Sequence, residues 1–444
     1  MHFLLQGLPE NAAVSGSERL VLSLTYQLIA IIFVTRIVVW FSSRFLGQTD
    51  VSGEILAGLV LGPSCLGALF PMEMKALFPS ATTDVLVALS HLGLIFLMFE
   101  VGLRFEFSST FESAKRGLVA ISLCGMAVPF VLGLLTASWF WDRMPAASRP
   151  PLLGFELFFA VAISITAIPV LGRIFLELDL SHTRIAALVL GAAALDDVGG
   201  WILLSVVSAI VQSRFSSQAL LMRILALIVF LAGLKLISRP VRRMIANSRA
   251  RTGHLSGTTI SIVVALTLLC AAITSNTGVF AIIGAFCFGL TLHQDRQFVA
   301  DWSVRFSAMV RAVLLPLFFT YTGLRTDIGY LGSAQGWMLC LGVLAVAFAG
   351  KFGGTYAAAR LSGEPPRLAL IVGVCMNTRG LMELIALNVG YDLGVVPRPM
   401  FTMLVIMALA STFVATPLVR RLMKDQMHAM TVEPVSQGIA QGVA

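Results

Sequence analysis

Thirteen stretches of about 20 predominantly apolar residues recur along the chain, separated by short polar or basic segments. They fall at 20–41, 51–70, 85–103, 117–139, 152–174, 183–211, 219–238, 257–275, 278–292, 308–324, 336–358, 367–390 and 400–419. At a helical rise of roughly 1.5 Å per residue, most can cross a hydrocarbon core about 30 Å thick. The pattern predicts an all-α polytopic membrane protein with 13 transmembrane helices. Residues 1–19 form an N-terminal segment without the features of a cleavable signal. The tail 422–444, with Ser, Gln, Gly and Pro, is expected to be disordered. The longest interruption, 239–256, is basic and is expected to be a loop at the cytoplasmic surface.

The apolar pattern is broken in the middle of four segments, and the breaks carry the candidate chemistry. The sixth segment reads TRIAALVLGAAALDDVGGWILLSVVSAIV and places Asp196 and Asp197 at its centre. Ionised groups at that depth are costly and are retained for function. The fifth, AVAISITAIPVLGRIF, is interrupted by Ser164, Thr166 and Pro169. The twelfth holds Asn377, Thr378, Arg379 and Gly380 at mid-span, with Glu383 one turn after Arg379 and able to pair with it. The eleventh carries Lys351. Non-helical backbone at membrane depth is tolerated where it faces protein or a cavity, so the fifth and twelfth segments are candidates for discontinuous helices flanking the two acids.

Neighbouring helical residues point about 100° apart, so Asp196 and Asp197 face different surroundings. One can hold a permanent partner, with Lys351 the natural choice, while the other faces a cavity. An acid without a fixed cation must be compensated by a proton or a metal ion. Deprotonated, it is a hard oxygen ligand. With Ser164 or Thr166 hydroxyls, freed carbonyls and water it suits sodium or potassium. Asp197 is the candidate ion and proton carrier. For Asp196 a structural ion pair and direct ion binding both stand, and Lys351 has snorkelling as its alternative. Arg379 and Glu383 fit a structural pair that holds the broken helix. Glu100 and Glu156 lie nearer helix ends and fit interfacial or packing roles.

Composition supports the class: 57% of the 444 residues are hydrophobic and 12% are charged. The net charge of +8 reflects loop arginines and lysines rather than nucleic-acid binding. With the N-terminus outside, the inner loops hold more than twice as many basic residues as the outer ones, which predicts N-out, C-in in the cell's inner (plasma) membrane. The six cysteines lie in apolar stretches without CxxC spacing, and the histidines are scattered, so neither a disulfide framework nor a metal site is expected.

Two phrases recur seven segments apart. GEILAGLVLGPS precedes LIFLMFEVGLRFEF, and AIIGAFCFGLTLH precedes LPLFFTYTGLRTDI. An odd offset implies copies of inverted topology, a hallmark of secondary transporters.

Taken together, LDDVGGWILL, LMFEVGLRFEF, GKFGGTYAAARLSG and NTRGLMELIALNVG resemble the monovalent cation:proton antiporter-2 family, which includes Kef-type and NapA-type exchangers and plant cation/proton exchangers. The resemblance spans about 20–421. It implies an NhaA-like fold of two inverted-topology repeats with crossing discontinuous helices, a homodimer and an elevator mechanism. By family pattern, 20–103 and 257–324 form the dimer scaffold, 117–211 and 336–419 the moving core, and 219–238, with Lys235, the linker. It implies that Asp197 carries proton and cation in competition, that Asp196 pairs with Lys351, and that Thr166 helps coordinate the ion. An acid at position 196 leans toward electrogenic exchange. A C-terminal nucleotide-binding domain is not expected after the membrane region, and ligand gating of the Kef type is not expected either. No cofactor is implied beyond the transported Na⁺ or K⁺ and H⁺.

The expected function is therefore Na⁺/H⁺ exchange, with K⁺/H⁺ exchange or a Kef-like efflux system as the alternative and a sodium-coupled symporter behind it. An intramembrane aspartic protease needs its acids on different helices across one water, which adjacent acids on one helix cannot supply. The chain is not expected to be an enzyme.

Overall fold

A computed structural model describes residues 16–48, 50–103, 115–166, 171, 175, 184–212, 217–252, 255–277 and 281–431. These residues are almost wholly helical. The principal helices are α1 (Gly16–Leu46), α2 (Asp50–Leu61), α3 (Ser80–Leu103), α4 (Lys115–Asp142), α5 (Leu152–Ser164), α6 (Arg184–Gln212) and α7 (Ser217–Thr252). They continue with α8 (Gly257–Asn276), α9 (Ala281–Leu292), α10 (Leu315–Arg325), α11 (Ala334–Leu361), α12 (Pro366–Met376), α13 (Leu381–Asp392) and α14 (Arg398–Thr431). Among the described residues, 9 helices are long and apolar enough to cross a membrane, or up to 11 if each of two bent pairs is one span. Two shorter apolar helices, α5 and α9, accompany them.

The bent pairs fall where the pattern was broken or crowded. One joins α12 to α13 with a 42° bend at residues 377–380. The other leads from Arg296 through the π-helical turns Ser303–Ser307 and Val310–Leu314 into α10, with a 45° bend. A π-turn widens the helix locally and re-aims its side chains. Here it carries Arg311, whose Nη1 meets Oε1 of Glu100 on α3 at 2.9 Å. α5 stops at Ser164, and Ile165 is extended.

Close packing gathers the helices into two groups. In one, α2 lies against α1 and α10, and α3 against α9, with α8 behind α9. In the other, α4 packs on α5 and α11, and α11 on α12 and α14. The tightest crossings are made by glycines. A Cβ on Gly58 of α2 would overlap the Phe319 carbonyl of α10, and one on Gly323 would overlap Gly58 itself. The α3–α9 crossing is built alike, Gly102 lying on the Phe286 carbonyl and Gly289 on that of Phe99. In lipid, helices gain little from hiding apolar side chains from one another, so backbone approach through small residues is what holds them.

Three boundaries differ from expectation. Most of the 239–256 segment is helix rather than loop: α7 runs through Pro240 to Thr252, and residues 253 and 254 lie outside the described set. Arginine is a good helix former, and Val241 and Ile245, one turn apart, are buried, so one face of the basic stretch still packs. The tail is helical to Thr431 for its first part, and residues 432–444 lie outside the described set. α1 starts at Gly16 and reaches Leu46, longer at both ends than its apolar stretch. Pro169 and Arg104 lie outside the described residues.

The glycine crossings give a direct test. Gly58→Val places side-chain atoms against backbone that cannot yield, an overpacking cost of about 1–3 kcal/mol or more. It is expected to lower the melting temperature in detergent by several degrees. Gly353→Ala, where a Cβ meets nothing within 4 Å, is expected to leave it unchanged or slightly raised.

Candidate functional site

The site is assembled where α5 and α12 end. The last carbonyls of a helix have no partner within it and carry the negative end of its dipole. Deep in the bundle they need donors, and two cations supply them. Arg379, in the break between α12 and α13, donates from Nη1 to the Ala162 carbonyl at 3.0 Å and from Nη2 to that of Ile163 at 2.6 Å. Lys351, on α11, donates from Nζ to the Ser164 carbonyl at 2.6 Å. The broken backbone is itself pinned by Thr412 of α14, whose hydroxyl accepts the Arg379 N–H at 2.9 Å and donates to the Arg379 carbonyl at 2.5 Å. Ser164 contributes its carbonyl rather than its hydroxyl, which donates back to Val161 at 2.9 Å.

The two acids of α6 have different environments. Asp196 is fully buried at 0% exposure and fully engaged. Its Oδ2 accepts from Lys351 Nζ at 2.7 Å and from the Thr166 hydroxyl at 2.8 Å, and its Oδ1 accepts from Ser122 of α4 at 2.6 Å. Thr166, just past the end of α5, also lies 3.3 Å from the Met376 carbonyl at the end of α12, so one hydroxyl stands between the ends of two helices and the acid. Asp197 is 5% exposed, and its Oδ1 is buried with no hydrogen-bond partner among the described residues. Asn377 Oδ1 and both Glu383 oxygens are likewise buried without donors among those residues. Buried oxygens in that condition are uncommon and call for a functional explanation.

Arg379 and Glu383 do approach, at 3.7 Å, but the guanidinium spends its short hydrogen bonds on the α5 carbonyls. The pair therefore sits on top of a helix cap rather than holding the break by itself. Lys351 is wholly buried, so it does not snorkel. Glu100 is buried against Arg311, a packing role inside the first helix group.

Three contributors escaped the sequence. Ser122 is one hydroxyl in an apolar run. Thr412 sits beside Ser411 in ALASTFVATP, and that polar pair was the available signal. Gly125 lets α4 close on the site, since a Cβ there would lie 2.6 Å from Thr355 Cγ2 and 3.8 Å from Asp196 Oδ2.

This geometry, with a break between α12 and α13, a capped carbonyl end on α5 and a split acid pair, can be set beside known proteins. The model of the family described as sodium/hydrogen exchanger, transmembrane, matches residues 29–425. The chain belongs to this family of monovalent cation:proton antiporters. It is 35% identical over 404 residues to Na(+)/H(+) antiporter NhaS4 of Synechocystis sp., covering 90% of this chain and 97% of that one. Against Cation/H(+) antiporter 18 of Arabidopsis thaliana it is 35% identical over 403 residues, 91% of this chain but 49% of the relative. Against K(+)/H(+) antiporter 1 of Saccharomyces cerevisiae identity is 32%, over 85% of this chain and 44% of the relative. The chain thus spans nearly all of the first relative and about half the length of the others. The solved structure of the sodium proton antiporter MjNhaP1 from Methanocaldococcus jannaschii shares the fold, with a TM-score of 0.64 at 15% identity, covering 93% of this chain and 99% of that one.

The Asp196 cluster predicts a stability pattern. Removing one member of a buried ion pair strands the other and costs about 3–5 kcal/mol. Lys351→Met and Asp196→Asn are each expected to lower the unfolding temperature sharply, and the double variant by much less than their sum. Ser122→Ala removes one hydrogen bond to a charged group, about 1.5–3 kcal/mol, and is expected to show a smaller drop in the same thermal assay.

Proposed function

We propose that this protein is a secondary transporter exchanging a monovalent cation for protons, with Asp197 as the group for which the two compete. The observation that carries the proposal is the asymmetry of the acid pair. Asp196 has its counter-charge and three donors, whereas Asp197 Oδ1 has none among the described residues. A buried carboxylate without a fixed cation is neutralised by whatever mobile cation reaches it, whether a proton or an alkali metal ion. Binding one excludes the other, and that exclusion suffices for exchange. Asn377, Thr166 and carbonyls at the helix ends are the further oxygens suited to a hard monovalent ion. Asp196, Lys351, Arg379 and Glu383 then hold the scaffold of charge around it.

The same proposal extends to architecture. Thirteen crossings arranged as two inverted repeats are supported by the paired glycine crossings, α2 on α10 and α9 on α3. Each joins the first phrase of one copy to the second phrase of the other. The grouping of helices favours α4–α6 and α11–α14 moving as a core against α1–α3 and α8–α10 in an elevator step, with α7 as the link. We place the N-terminus outside and the C-terminus in the cytoplasm of the plasma membrane, and take the working unit to be a homodimer. Sodium is the favoured cation, given the name of the relative matched along its whole length. Potassium is the second reading, favoured by the name of the yeast relative.

Two measurements test this. In proteoliposomes with an imposed pH gradient, Asp197→Asn is expected to reduce cation-driven proton flux to background while eluting and melting like the parent. Exchange retained by that variant would remove Asp197 as carrier. In the parent protein, flux with sodium, lithium, potassium and rubidium, with the membrane potential clamped and unclamped, is expected to favour sodium and to respond to potential. A potassium-selective response would move the assignment to the second reading.

A further inference from the structure

The seam between the two helix groups is tied at one end by a cluster that the ion site does not use. Arg325, at the end of α10, meets Asp392 at the end of α13, Nη2 to Oδ1, at 2.7 Å. Its Nη1 donates to Oδ1 of Asn388 on α13 at 3.1 Å, and Asn388 Nδ2 donates back to the Thr322 hydroxyl of α10 at 2.9 Å. The guanidinium is held between two rings, 4.1 Å from the centroid of Tyr321 on α10 and 4.7 Å from that of Tyr391 on α13. From α3, His91 Nε2 lies 3.9 Å from the other oxygen of Asp392. Thr402 of α14 accepts the backbone N–H of Asp327 at 3.3 Å. Each of these ties joins a helix of one group, or the turn after it, to a helix of the other.

The cluster also borders two cavities. On one side a cavity of about 530 Å³ is bordered by Tyr321, Arg325, Tyr391 and Arg398. On the other, between α3, α9 and α13, a smaller cavity of about 120 Å³ is bordered by His91, Ile282, Asn388 and Asp392. Arg325 borders the larger cavity, and its partners Asp392 and Asn388 border the smaller.

The geometry points to a latch: Arg325, Asp392, Asn388 and Thr322 hold this face of the seam shut and must part for the cation to enter or leave there. The inference rests on the exchange reading given above. The groups can slide past each other only if these bonds break. Arg325 is 15% exposed at its side chain, so its bonds are partly screened from water and hold better than surface pairs. The pair is nonetheless at the rim, where water can take over both charges once they separate, so it opens without stranding a charge. These four residues are positioning residues: they set which face is open, not what is bound.

The test is sidedness. Apparent KM for sodium is measured with the ion applied to each face of oriented vesicles, and repeated with potassium. In Arg325→Gln and Asp392→Asn, the KM seen from the latch face is expected to fall relative to the other, shifting their ratio about tenfold, as for a pair worth roughly 1.4 kcal/mol. The double variant is expected to be no further displaced than Arg325→Gln alone, because that change already removes the ion pair that Asp392→Asn breaks. Thr322→Ala, which leaves the ion pair in place, is expected to shift the ratio in the same direction by a smaller factor, and serves if a charge variant fails to fold. A ratio unmoved in folded variants, or singles that add in the double, overturns the latch. Absence of cation-driven flux in the parent protein would overturn the exchange reading, and the latch with it, before any variant is compared.

Discussion

A charge buried in a helical bundle within lipid must find its compensation there, because water is too far away to provide it. That constraint organises this molecule. Lys351 faces the Ser164 carbonyl and the Asp196 carboxylate at once, at 2.6 and 2.7 Å. In doing so it joins the end of α5, the middle of α6 and the middle of α11. Arg379 does the corresponding work for the next carbonyls of α5 from the break after α12. Neither cation can be taken out alone without exposing both a helix end and an acid. The end of α5 and the break after α12 are held by these two side chains, which is why non-helical backbone can persist deep in the bundle.

Once those demands are met, the remaining acid is conspicuous. Asp197 shares a helix turn with Asp196 yet receives none of its donors. The rotation of about 100° between neighbours is enough to send one carboxylate into the Ser122–Thr166–Lys351 cluster and the other away from it. On the proposed mechanism, the permanently satisfied acid fixes the geometry. On that same reading, the acid without a donor among the described residues carries the ion.

The two groups of helices are built differently inside than between. Inside the first, glycines at 58, 102, 289 and 323 bring backbones together in a manner that resists sliding. Between the groups, polar side-chain bonds gather around Arg325 and Asp392, with Gln48 on the Phe413 carbonyl as a further tie. Backbone interlocks and rim ion pairs differ in what it takes to part them: the first requires unpacking a helix, the second only water. On the proposed elevator reading, a body that moves as a unit and releases at a seam is suited by that division.

The order of helices, the acid pair, the interruptions near 164–166 and 377–380, and the buried Lys351 could all be read along the chain, since each is a local break in an apolar period. The family resemblance could be read for the same reason, from short phrases that carry those breaks. What could not be read was mutual. Ser122 is indistinguishable from any helix-facing serine until α4 packs on α6 and brings it to Asp196. The Arg379–Glu383 spacing suggested a pair, but spacing knows nothing of the α5 carbonyls that compete for the guanidinium. The basic stretch after Pro240 looked like a loop because its charges hide the i, i+4 spacing of Val241 and Ile245 that a neighbouring helix covers. Sequence alone determined where polar groups enter the membrane, because hydropathy is a property of each segment by itself. Tertiary structure decided which of those groups satisfy one another, because compensation of a buried charge depends on the three or four helices that meet around it.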